Sequence, residues 1–261
     1  MKGVTKPMAL IILDPGHGGH DGGARGYGLV EKDLTLRIGL KVRDSLLQRY
    51  LVEVKMTRET DTFISLSGRA EFANRLNADY FVSLHHNAAG GEGFESYVYR
   101  GTTNNVTIRR QQILHQEIMN YLRTLGVRDR GTKQANFAVL RQTKMPAILL
   151  ENLFLDHPLD AELLKNPVVL NQLSHSVATG IAKAFDLQER NPAPTLTPQP
   201  PTPTPIPPPE QPDSPDWKDE AVDWMLQEGL LTHADWKKSL ENPLPLWAFA
   251  VVLKRLYEKM E

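Results

Sequence analysis

Residues 9–20 read Ala9-Leu-Ile-Ile-Leu-Asp-Pro-Gly-His-Gly-Gly-His20, and the reading of this stretch decides the fold. Five apolar residues, Ala9 to Leu13, predict a short buried strand that Asp14, Pro15 and Gly16 bring to an end. His17 is then carried on a glycine-rich turn just past a strand end, where ligands and catalytic groups collect in open α/β sheets. Strand-like and helix-like segments alternate outward from this point. Strands are expected at Leu10–Leu13, Val52–Thr57, Tyr80–Leu84, Glu95–Tyr99, Ala138–Arg141 and Ala147–Leu150. Helices are expected at Asp33–Tyr50, Ser67–Leu76, Val106–Leu125 and Ala161–Phe185. The first helix carries Leu34, Ile38, Val42 and Leu46 as one apolar stripe. Ser65 or Ser67 suits the cap of the second. Such alternation predicts the α/β class, with a largely parallel sheet covered by helices on both faces.

The chain has 261 residues, room for one sizeable core and a small second module. A formal net charge of -1 gives no electrostatic footprint for a nucleic-acid partner. Cysteine is absent, so any metal must be held by histidine and carboxylate. No stretch approaches the roughly 20 apolar residues of a membrane span. No signal peptide is evident, since the apolar run Met8–Leu13 is too short and leads directly into His17. Twelve of the 19 prolines fall between Pro192 and Pro215, which predicts an extended polyproline spacer. The expected organisation is a catalytic domain over 1–190, a linker over 191–215 and a small helical module over 216–261.

Four polar residues carry the chemistry. His17 and His85 each stand at or just after a predicted strand end, and Glu31 stands at the start of the first helix. Hydrolytic zinc sites use three protein ligands of these types. The three converge if the strands ending at Leu13 and Leu84 are neighbours and the glycine-rich segment Gly16–Gly28 folds over them. Adjacent strand residues face opposite ways, so only one of His85 and His86 faces such a metal. His20 competes with His17 in the same loop. Glu151 ends the very apolar run Pro146-Ala-Ile-Leu-Leu-Glu151. An unpaired buried carboxylate is costly, and its functional reading is a general base acting on water beside a metal.

Several separated motifs occur in the order found in zinc-dependent N-acetylmuramoyl-L-alanine amidases of bacterial cell-separation and phage endolysin type. They are Asp14-Pro-Gly-His-Gly-Gly19, Glu31-Lys-Asp-Leu34, Thr57-Arg58 with Asp61, Arg69 with Ala73-Asn74, Ser83-Leu-His-His-Asn-Ala88 and Pro146-Ala-Ile-Leu-Leu-Glu151. The first domain, about Ala9 to Leu187, resembles that family throughout. The resemblance implies a twisted, mostly parallel six-stranded sheet between helices. It implies one zinc ion held by His17, Glu31 and His85, with Glu151 as the catalytic carboxylate. It prefers His85 to His86 and leaves His86 as a groove residue. Asn87 and Arg141 are the implied substrate contacts. The implied partner is peptidoglycan, cleaved between N-acetylmuramic acid and L-alanine by zinc-activated water. No inhibitory helix is inserted between Tyr99 and Gly126, so an open site is expected.

Beyond the spacer, Trp217, Ala221 and Trp224 make one helical stripe and Phe249, Val252, Leu253 and Leu256 another. The module resembles a single S-layer-homology motif, departing from it at Leu246-Trp247. Its net charge from Asp213 to Glu261 is -4, six basic against ten acidic residues. Binding of a secondary wall polymer and self-association are the two roles expected of it. Together these readings favour an endolysin that accumulates in the cytoplasm and reaches the wall after release. A non-enzymatic wall-binding protein and a zinc peptidase cutting within the stem are the alternatives.

Overall fold

The computed structural model of the chain describes residues 8–190 and 217–228. The elements run β1 (Leu10–Pro15), β2 (Arg25–Gly26), β3 (Leu29–Val30), α1 (Glu31–Arg49), β4 (Glu53–Met56), α2 (Leu66–Arg75), β5 (Tyr80–Asn87) and β6 (Phe94–Tyr99). Then follow α3 (Asn105–Leu122), β7 (Asp129–Ala135), α4 (Ala138–Gln142), β8 (Ala147–Phe154), α5 (Pro158–Lys165), α6 (Pro167–Phe185) and α7 (Trp217–Gln227). The chain divides into two compact units, Met1–Thr197 and Pro198–Glu261, and α7 belongs to the second. The second apolar stripe, Phe249 to Leu256, and the proline-rich spacer lie outside the described residues. No helix among the described residues is long and apolar enough to cross a membrane.

A six-stranded sheet of order β4-β1-β5-β8-β6-β7 forms the centre of the first unit. Four of its five pairings are parallel, and only β6 against β8 is antiparallel. Side chains alternate across a sheet, and the two faces have different cores. Ile11, Leu13, Val82, Leu84, Ile148 and Leu150 pack with the apolar stripes of α1, α3 and α6. Ile12, Phe81, Ala147 and Leu149 pack on the other face, against Ala73 of α2 and Val139 and Leu140 of α4. Along that second face the next residues in the same parity are Asp14, Ser83, His85 and Glu151. The face is therefore apolar where short helices cover it and polar at the strands' carboxyl ends.

Two expected elements differ. Ala138–Arg141 is helix α4, not a strand: the Arg141 amide donates to the Phe137 carbonyl one turn back, and Val139 and Leu140 both pack into the core of the second face. The sixth strand is β7, Asp129-Arg-Gly-Thr-Lys-Gln-Ala135, an edge strand with no large apolar residue to announce it. The single helix expected over Ala161–Phe185 is two. Asn166 caps α6 by accepting from the Val168 and Val169 amides, and Pro167 follows at its first turn. Ser65, rather than Ser67, caps α2 by accepting from the Gly68 amide.

The end of β1 is fixed by a buried ion pair. Asp14 is fully buried and accepts from Arg69 Nη1 at 2.8 Å, Thr57 Oγ1 at 2.7 Å and Ser83 Oγ at 2.7 Å. Arg69, 2% exposed, also donates to the Pro15 and His17 carbonyls. Removing one partner strands a buried charge. Arg69→Met is therefore expected to cost about 3–5 kcal/mol in urea unfolding of the full chain. The double variant Asp14→Leu/Arg69→Met is expected to recover part of that loss. A cost under about 1 kcal/mol for Arg69→Met would show that the pair does not anchor the fold.

Candidate functional site

The site begins with the turn after β1. His17 has φ 60°, a conformation uncommon for a residue with a side chain and costing on the order of 1–3 kcal/mol. It is held by arginines from two elements: Arg69 Nη2 donates to the His17 carbonyl at 2.6 Å, and Arg58 donates to the Pro15 and Gly16 carbonyls. Gly16 is required by close approach, since a Cβ there would lie 2.3 Å from His85 Cε1. Gly23 is likewise required, because its Cβ would lie 2.6 Å from Glu31 Oε2.

The parallel pairing of β1 with β5, Pro15 opposite Leu84, brings His17 and His85 to one sheet end. Glu31 is the first residue of α1 and is 3% exposed. Its Oε1 accepts from the His86 amide and lies 3.0 Å from His85 Nδ1. Its Oε2 accepts from the Ala24 amide and lies 3.1 Å from His17 Nε2. Burial opposes ionisation of Glu31, but hydrogen bonds from His17 and His85 hold its carboxyl well below the usual range. On the far side of the ring, His17 Nδ1 donates to Asp21 at 2.9 Å, which directs Nε2 toward Glu31. One donor atom from each of His17, Glu31 and His85 falls within 4.8 Å of the others. Two imidazoles and a buried carboxylate in such a cluster, one ring already oriented by a second carboxylate, fit a zinc ion with three protein ligands. A cavity of about 70 Å³ opens beside them, walled by Phe63, Ile64, Leu66 and Val139.

Glu151 stands opposite His85 in the β5–β8 register and therefore on the same face. Burial pushes its carboxyl up to about 7, and its Oε2 is buried with no hydrogen-bond partner. Just beyond it β8 bulges, with four residues, Glu151 to Phe154, set against three, His85 to Asn87, and Leu153 at φ 69°. The bulge is tied from both sides, by His86 Nδ1 donating to the Asn152 carbonyl and by Asn152 Nδ2 donating to the His85 carbonyl. His86 is thus not a groove residue. It is 3% exposed on the opposite face, and burial takes its imidazole down to about 4. His20 is also apart from the cluster, exposed and stacked on Phe63 at 4.1 Å.

The two expected substrate contacts fare differently. Asn87 reaches across β8 and donates to Glu95 Oε1 at 2.7 Å, so it frames Glu151. Arg141 is bonded to Asn136 and lines a separate groove with Tyr99 and Lys144, beside Ala147 at the other end of β8. Glu95, Asp21, Arg58 and Arg69 had no role assigned from sequence. Glu95 stands at the beginning of β6, and the antiparallel pairing of β6 with β8 brings that beginning to the sheet end where Glu151 lies. It pairs with Glu151 across β6 and β8 and is 3% exposed. Burial opposes its ionisation, but bonds from Lys133, Arg130, Tyr97 and Asn87 take its carboxyl down to about 2.

This constellation can be set against known proteins. The family model for N-acetylmuramoyl-L-alanine amidase matches residues 11–183. The chain belongs to the N-acetylmuramoyl-L-alanine amidase family. Amidase CwlM of Bacillus licheniformis is 47% identical over 183 residues, 70% of this chain and 71% of that one. The endolysin of Bacillus phage SPP1 is 46% identical over 184 residues, 70% and 68% of the respective chains. Among solved structures, an N-acetylmuramoyl-L-alanine amidase of Clostridium difficile 630 aligns with TM-score 0.66 at 34% identity, covering 69% of this chain and 98% of that one. The amidase domain described above is the part these relatives share.

The cradle around His85 generates a prediction for this amidase. Gly16→Ala should displace the His85 ring and weaken zinc binding by on the order of 10–100-fold, the range for groups that orient metal ligands. Competition against a chromophoric chelator measures it, with circular dichroism confirming the sheet. Unchanged affinity would show that the His85 ring is not a ligand in this position.

Proposed function

We propose that the chain is a zinc-dependent peptidoglycan hydrolase that cleaves the amide between the lactyl group of N-acetylmuramic acid and L-alanine of the stem peptide. The observation that carries this reading is Glu151, a partly buried carboxyl raised to about 7, standing one strand from a His-Glu-His cluster in a chain of this family. His17, Glu31 and His85 would hold the ion, which supplies Lewis acidity toward the scissile carbonyl.

The chain's own residues do the rest. Glu151 accepts a proton from the attacking water at its carboxylate as the new carbon–oxygen bond forms. The same carboxyl returns the proton to the L-alanine nitrogen as the carbon–nitrogen bond breaks. A carboxyl raised to about 7 is suited to both halves of that transfer near neutral pH. Arg58 and Arg69 keep the His17 turn fixed, and the β8 bulge, held by His86 and Asn152, sets the direction of Glu151.

Glu151→Gln keeps the shape and removes the proton acceptor. Turnover is expected to fall about 10²–10⁴-fold, with zinc content unchanged. Mass spectrometry of digested walls should find stems with a free L-alanine amine. New amines within the stem, or near-normal turnover of Glu151→Gln, would overturn the assignment.

Identity to a phage endolysin supports a lytic role. Fractionation of an expressing host tests this. An internal pool that acts only after membrane permeabilisation is the expected result, and secretion by intact growing cells contradicts it.

A further inference from the structure

We propose that Arg130 and Lys133, held side by side by Glu95, form the subsite for a stem-peptide carboxylate, that of the residue following L-alanine. The inference rests on the amidase reading above. Glu95 and Glu151 are register partners, so their side chains share the open face of the sheet. On the next strand, Lys133 is the register partner of Tyr97. A polar row thus crosses the face from His85 through Glu151 and Glu95 to the cations of β7.

The bonding of Glu95 defines what it can do. Oε1 accepts from Asn87 Nδ2 at 2.7 Å and Tyr97 Oη at 2.8 Å. Oε2 accepts from Arg130 Nε at 2.7 Å and from Lys133 Nζ. Four donors fill a carboxylate's acceptor sites, so Glu95 is neither a base nor a ligand but a positioning residue. One negative charge is set against two positive ones. The surplus charge is on side chains that remain accessible, Arg130 at 26% and Lys133 at 37% exposure. Both are fixed in place: the Arg130 guanidinium lies 4.9 Å from the Phe154 ring centroid, and Lys133 is pinned to Glu95. An ammonium offers three donors, and the bond to Glu95 uses one.

Spacing and charge select the occupant. Strands lie about 4.8 Å apart, so β7 stands roughly 10 Å from β8. A peptide advances about 3.3 Å per residue, so the second residue past the scissile amide stands roughly 7 Å along the row, and its carboxylate with the long Lys133 and Arg130 side chains spans the rest. At the other end of the row the cavity is walled by Phe63, Ile64 and Leu66 with Asp21, and its one arginine, Arg69, is 2% exposed and committed to Asp14 and to the Pro15 and His17 carbonyls.

The test compares two muramyl tetrapeptides that differ only in whether the second residue's free carboxylate is intact or amidated, using the zinc-loaded full chain. The wild type is expected to prefer the acid by on the order of tenfold or more in kcat/KM, the worth of a hydrogen bond to a charged group. The preference should appear mainly in KM. Lys133→Gln and Arg130→Gln should abolish the ratio, and Lys133→Arg should restore it. A wild-type ratio near one, or an unchanged ratio in both Gln variants, would overturn the subsite and leave Glu95, Arg130 and Lys133 as a strand tie. The wild-type ratio needs no variant to fold. Release of an L-alanyl amine from either substrate leaves the amidase reading standing whatever the ratio.

Discussion

Everything at the open end of the sheet depends on the buried pair of Asp14 and Arg69. The aspartate is the last polar commitment of an otherwise apolar strand, and its three acceptor bonds join β1 to β5, to α2 and to the turn after β4. Arg69 does more than neutralise it. The same guanidinium reaches the Pro15 and His17 carbonyls and fixes a turn that puts a histidine in a left-handed conformation. Buried pairs of this kind are weak contributors to net stability. Their use here is specificity: the His17 ring can point in one direction only, and Asp21 selects which nitrogen faces Glu31.

Three glutamates on or beside one sheet face are given three characters by their surroundings. Glu31 is buried but bonded to two imidazoles and two backbone amides, so it stays an anion. Glu95 is bonded to four donors and is equally fixed in charge, while arranging the cations around it. Glu151 has burial without compensation, and its carboxyl rises to about 7. Environments that separate carboxyl pKa values separate their roles. In the proposed reaction the anion holds the ion, the raised carboxyl moves the proton and the locked one orients the cationic subsite.

Much of this was legible in the sequence because the strands carrying the site are apolar runs with a polar residue at the end. Asp14, Ser83, His85 and Glu151 each mark the point where a buried strand meets the open face. The choice between His85 and His86 followed once β5 was seen to alternate, with His86 turned to the opposite face to brace the bulge at Asn152. What escaped had no such contrast. Strand β7 is polar throughout, so the edge of the sheet was invisible and its place was given to α4. The reversal of β6 depends on pairing rather than on pattern. Arg141 shares a run of sequence with Val139 of the cavity wall, yet α4 turns it into a different groove. Long-range hydrogen bonds, such as Asn87 to Glu95 across β8, have no local signature at all.

The central claim is that His17, Glu31 and His85 form one metal site beside Glu151. Anomalous diffraction at the zinc absorption edge, from crystals of the zinc-loaded chain, tests it most directly. The account predicts a single strong peak bounded by one nitrogen each from His17 and His85 and by the Glu31 carboxylate, at about 2.0–2.2 Å, with Glu151 facing it but not among its three protein ligands. A peak held by His86 or His20, or zinc bound stoichiometrically away from the His17, Glu31 and His85 side chains, would contradict it.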